Sequence, residues 1–100
     1  MSISLVALTP LQVVFTLTED RLPFRTDGTG NEQLPRLLQT IPEPLLARLE
    51  RWNQETGSAY DWEAGEFGSK TRRQEAAHEY AALAEQLWSR RLEVRLEMWW

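Results

Sequence analysis

From Lys70 to Trp100 the sequence contains neither glycine nor proline, so no residue in that stretch forces a break. Within it, Ala76, Ala77, Tyr80, Ala81, Leu83, Ala84, Leu87 and Trp88 recur at the spacing of one helical face. A stripe of that kind, over roughly four turns, commits the chain to a long amphipathic helix that must bury one face. Its alanines permit close approach of a sheet or a second helix. Thr71-x-x-Gln74 fits a capping box, which starts this helix near Ser69 or Thr71. Beyond it, Leu92, Val94, Leu96 and Met98 alternate with Glu93, Arg95 and Glu97, the period of a strand. Trp88, Leu92, Leu96 and Trp99 also fall at helical spacing. A helix there would stack Glu93 on Glu97 and Arg91 on Arg95, like charges one turn apart. The strand is the preferred reading of 92–99.

Toward the N-terminus, residues 3–8 and 12–18 are rich in Ile, Val, Leu, Phe and Thr, and Thr9-Pro10 lies between them. Proline presets a turn and cannot extend a ladder, so an antiparallel hairpin is expected. Leu22, Phe24 and Thr26 offer a short third strand at the edge, followed by turn residues Asp27-Gly28 and Gly30-Asn31. Residues 32–41 read as a short helix with Asn31 as N-cap and Pro35 in its first turn. A longer helix, 43–56, carries Leu45, Leu46, Leu49 and Trp52 on its apolar stripe, with Gly57 as the expected C′ residue. Residues 57–68 read as an ordered loop. The fold class is therefore α+β: one domain over 1–100, with a small, mostly antiparallel sheet formed by the N-terminal hairpin and the C-terminal strand. Two main helices pack on it, and the short helix caps one edge.

Several functions are opposed by composition. Fifteen acidic residues against eleven basic ones give a net charge of −4, which disfavours phosphate-backbone binding, so no nucleic-acid partner is expected. Ten of the eleven cations are arginine, the residue of paired and interface contacts. No cysteine is present, which removes disulfides and thiolate metal sites and suits a reducing cytoplasm. Residues 1–8 lack the charge and length of a secretory signal, and no apolar run approaches a membrane span. A cytoplasmic protein with no membrane partner is expected. Gly28-x-Gly30 lacks the third glycine and the βαβ setting of a dinucleotide loop, so no cofactor is expected.

The most distinctive stretch is Tyr60-Asp61-Trp62-Glu63-x-x-Glu66-Phe67, which interleaves three aromatics with three carboxylates. It reads either as an aromatic-stapled loop with its acids in water or as a partner-binding epitope, since Tyr and Trp recur as interface anchors. Lys70, Arg72 and Arg73 follow in the first turn of the next helix, where positive charge opposes the macrodipole. Glu63 and Glu66 are expected to fold back on them; an anion or acidic partner is the alternative. His78 is the only histidine and is expected at the surface, without the companions a metal site needs. Trp99 and Trp100 close the printed sequence. Strand alternation places Met98 and Trp100 on one side and Trp99 on the other, as in a strand covered on both faces.

Leu49-x-x-Trp52-Asn53, an acidic-aromatic loop, Leu83-Ala84-x-x-Leu87 on a helix and a charged alternating strand occur in that order. Over roughly residues 45–98 this order resembles small uncharacterised single-domain proteins common in actinobacteria. The resemblance implies no activity.

Without a catalytic or metal motif, the expected function is a non-enzymatic interaction domain, of an immunity-, antitoxin- or inhibitor-like kind, binding a basic partner surface. Its expected contact residues are Tyr60, Asp61, Trp62, Glu63, Glu66, Trp99 and Trp100. One alternative is a homo-oligomer, a homodimer built through the C-terminal strand. Another is a small hydrolase using Asp61, Glu63, Glu66 and His78.

Overall fold

Val13, Val14 and Phe15 are all buried and form the first strand of a small sheet, β1 (Val13–Phe15). It pairs antiparallel with β2 (Phe24–Thr26), Val14 opposite Arg25, so the expected third strand is the partner of β1. These observations come from a computed structural model that describes residues 13–26, 30–92 and 94–100. The expected strand 3–8 and the Thr9-Pro10 turn lie outside the described residues.

Three helices, one short strand pair and a last single strand follow among the described residues. Helix α1 (Gly30–Thr40) runs through Pro35, which stands beyond the first turn rather than within it as expected. Helix α2 (Glu43–Ala59) begins behind Pro42, as expected. It does not stop at Gly57: it continues to Ala59, and Tyr60 turns into extended conformation with its N–H donating to Thr56 O. Residues 60–67 are not a loop but a hairpin, β3 (Tyr60–Asp61) against β4 (Glu66–Phe67). Helix α3 (Lys70–Ser89) is capped by Ser69, whose Oγ accepts from Arg72 N–H at 3.4 Å.

The end of α3 settles the ambiguity of the glycine-free stretch. Arg91 adopts φ 59°, the left-handed conformation usually reserved for glycine. Leu92 N–H then donates back to Leu87 O (3.0 Å) and Arg91 N–H to Trp88 O (2.8 Å), the two bonds of a Schellman ending. After this ending, β5 (Arg95–Leu96) joins β1 in parallel, giving the order β2-β1-β5. The sheet is mostly antiparallel within a small α+β fold, as expected. The alternation expected for 92–98 is only half realised: Val94 is buried, whereas Leu96, on this edge strand of the described sheet, and Met98, two residues beyond it, are exposed.

Inward-facing residues of β1 meet both long helices. Phe15 stacks on Tyr80 (ring centroids 4.2 Å) and meets Trp52 edge-on at 5.6 Å. Trp52 Nε1–H donates to Ala76 O (3.0 Å), tying α2 to α3. Tyr80 stitches the parallel strands together: its hydroxyl donates to Phe15 O and accepts from Glu97 N–H (3.1 Å). Burial pushes the Tyr80 phenol up to about 12 from its ordinary 10, with the nearby Glu97 carboxylate adding to the rise and a backbone hydrogen bond at Glu97 opposing it.

Candidate functional site

Asn53 shares the buried face of α2 with Leu49, Trp52 and Thr56. A buried amide needs partners, and Asn53 finds them in the turn that follows β1. Its Oδ1 accepts from Thr18 N–H (3.0 Å), while Nδ2 donates to Thr18 Oγ1 (3.2 Å) and Asp20 O (2.6 Å). Thr18 Oγ1 in turn donates to Leu22 O (2.7 Å) and accepts from Asp20 N–H (3.2 Å). This knot fixes residues 18–22 against α2 and leaves the side chains of Glu19 and Asp20 exposed.

Beside that turn stands the tip of the β3–β4 hairpin. Asp61 Oδ1 accepts from the N–H groups of Glu63 and Ala64, both at 3.0 Å, and Gly65 N–H donates to Asp61 O at 2.8 Å. Gly65 closes the turn at φ +73°, where a side chain would be strained. This turn directs Trp62 back over the end of α2, and its Nε1–H donates to Gly57 O (2.9 Å). Trp99 reaches the same place from the C-terminal strand, with Nε1–H donating to Leu17 O (3.2 Å). The two indoles lie 5.8 Å apart, and each meets Tyr60 edge-on, at 5.1 and 5.3 Å. Although anchored, they remain 41% and 46% exposed. Two hydrogen-bonded tryptophans thus present fixed apolar surface to solvent.

The expected contact residues therefore divide. Tyr60, Trp62 and Trp99 converge; Tyr60 is the buried post, and the two indoles form the open face. Asp61, Glu63 and Glu66 are exposed on the hairpin, with the Asp61 carboxylate spending one oxygen on its own turn. Trp100 instead enters the core, packing on Trp52 and Tyr80, both at 5.6 Å. Its Nε1–H is buried without a partner among the described residues. The expected pairing of Glu63 and Glu66 with Arg72 and Arg73 does not occur: Arg73 Nε–H donates to the main-chain oxygen of Trp100 (3.1 Å). The hairpin carboxylates stay in water, where an exposed ion pair would have added little.

Three surface depressions lie near these elements. One, about 520 Å³, is bounded by Thr18, Glu19, Asp20, Asn53, Gly57 and Trp62, among others. Its neighbour, about 600 Å³, shares residues 18–20 and Trp62 and adds Thr16, Trp99 and the Arg25–Glu97 ion pair (3.1 Å). The third, about 490 Å³, lies between α2 and α3. Asp61, Glu63, Glu66 and His78 line none of the three, so these depressions do not gather the groups a carboxylate-dependent hydrolase would need. Among the described residues no group of three or more His, Cys, Asp or Glu could hold a metal ion. No helix among them is long and apolar enough to cross a membrane.

Sequence reasoning missed Glu19, Asp20 and Asn53 as parts of this surface. The available signal was Asn53 itself, a polar residue beside Trp52 on an apolar stripe. No protein-family model, curated protein or solved structure matches this chain.

Proposed function

We propose that the protein is a non-enzymatic interaction domain that binds a basic partner protein through the face built on Trp62 and Trp99. The observation that carries this reading is the pair of anchored, half-exposed indoles bordered by exposed carboxylates. Rigid aromatics lose little conformational freedom on binding and recur as hot spots. Glu19 and Asp20 on one side, and Glu63 and Glu66 on the hairpin, give this face its negative charge. Carboxylates so placed speed encounter with a basic surface and reject acidic ones. Neutralising such a partner is the immunity-, antitoxin- or inhibitor-like role expected from the sequence.

The test is capture from the native host on immobilised protein, then measurement of affinity with the purified captured protein. Trp88→Ala is the control, because Trp88 is 50% exposed and belongs to no ring pair among the described residues. The expected result is a basic partner whose binding is lost in the Trp62→Ala/Trp99→Ala variant, kept in Trp88→Ala and weakened by salt. Capture indifferent to the double variant would overturn the reading.

A second reading is self-association through β5, favoured by Leu96, exposed on an edge strand of the described sheet, and by Met98, exposed just beyond it. Light scattering from a monomer at high micromolar concentration would sink it.

A further inference from the structure

We infer that the depression at the C-terminal end of α2 is a subsite for an arginine side chain on an extended basic peptide segment. The inference rests on the reading of this face as a binder of a basic partner, and it assigns the anchor. Glu19 and Asp20 line the depression, no cation does, and neither carboxylate has an ion-pair partner among the described residues. Gly57 and Ser58 bring the last turn of α2 to the same wall, and that turn carries no basic residue of its own. Neutral donors reach this helix end, Trp62 Nε1–H at Gly57 O and Tyr60 N–H at Thr56 O, and no basic side chain of the turn meets its partial negative charge, which favours a cation.

The remaining wall selects the kind of cation. Trp62 lines the depression with its indole held by Gly57 O, and tryptophan is the best cation–π platform among side chains. A planar guanidinium stacks on such a ring while forking toward carboxylates, which an ammonium does not. The floor is already ordered by the Asn53–Thr18 bonds, so little is lost in shaping it on binding. A segment continuing over Trp62 enters the neighbouring depression. There Thr16, 2% exposed, contributes a buried hydroxyl with no hydrogen-bond partner among the described residues. The groove between α2 and α3 makes the contrast. Arg48, Arg51 and Arg72 face Glu55, Glu75 and Glu79 there, with Arg48 and Glu79 already paired at 2.7 Å, so it selects neither sign.

The experiment is fluorescence anisotropy with two labelled octapeptides, an alternating Gly-Arg repeat and its citrulline counterpart, added to the full chain. Three variants are compared: Glu19→Gln/Asp20→Asn, Glu63→Gln/Glu66→Gln, and Glu75→Gln/Glu85→Gln as a charge-matched control away from the face. The Asp20 main-chain groups that meet Asn53 and Thr18 survive the first variant, so its fold is kept. The arginine peptide should bind and the citrulline peptide should not. Glu19→Gln/Asp20→Asn should weaken binding about fivefold or more, as expected for losing two part-exposed charge contacts, and the control should not. Equal binding of both peptides, or no binding, overturns the inference. Binding that responds to Glu63→Gln/Glu66→Gln and ignores Glu19→Gln/Asp20→Asn overturns the subsite while leaving the basic-partner reading standing.

Discussion

Trp99 and Trp100 are neighbours in the chain and belong to different regions of the molecule. Trp100 joins Trp52, Tyr80 and Phe15 in a sealed cluster between β1 and the long helices. Trp99 joins Trp62 at the surface, and Tyr60 and Phe67 link the two regions through ring contacts of 5.2 and 6.0 Å. The inner region buries its rings; the outer one fixes its indoles to main-chain carbonyls and leaves their faces wet. The same residue type thus serves cohesion in one place and presentation in the other. What separates them is burial, not hydrogen bonding: Trp100, the more buried of the two neighbours, is the one whose N–H finds no partner among the described residues.

The sharpest way to break this contrast is truncation. Trp52→Ala should lower unfolding free energy by about 3–5 kcal/mol, as large-to-small changes in a packed core do. Trp62→Ala should cost about 1–2 kcal/mol, since only two half-exposed ring contacts, with Tyr60 and Trp99, and a part-exposed hydrogen bond go. Urea denaturation checks both, and equal losses would erase the distinction. Asn53→Ala comes next, at about 2 kcal/mol, because it strands the buried groups of the 18–22 turn. It should also loosen Glu19 and Asp20, which hydrogen exchange of that turn would register.

Tyr80→Phe should cost about 1 kcal/mol, softened because Glu97 N–H also donates to Phe15 O at 3.3 Å. The phenol gives a pH signature as well. Its pKa is raised in the folded protein, so its contribution is fully present below pH 10 and is lost as pH rises toward about 12. Wild type should lose up to about 1.4 kcal/mol per pH unit across that window relative to Tyr80→Phe. Parallel denaturation curves of the two proteins at pH 9 and 11 would contradict it. The smallest expected effect is a gain: Arg91→Gly should stabilise by about 0.5–1 kcal/mol, by relieving a left-handed non-glycine residue.

That arginine also marks where the sequence stopped being legible. Hydrophobic periodicity located α2, α3 and the strands at 13–15 and 24–26, because those patterns follow burial directly. The end of α3 carried no glycine or proline, since the turn is imposed on Arg91 by tertiary packing of the strand beyond it. Gly57 misled in the opposite direction, a glycine inside a helix that ends two residues later. The hairpin at 60–67 hid because its strands are two residues each, too short for a period. Of the candidate face, the aromatic half was readable in Tyr60, Trp62 and Trp99. Its acidic wall was not, because Glu19 and Asp20 reach Trp62 only through the long-range bonds of Asn53.

The most direct test of the account is the indole N–H spectrum of the five tryptophans, recorded while the arginine peptide is titrated in. The Trp62 and Trp99 signals should move together with added peptide while those of Trp52, Trp88 and Trp100 stay in place. Movement at Trp88 alone, or at the buried pair with the outer pair unmoved, would contradict the division between a sealed core and a presenting face.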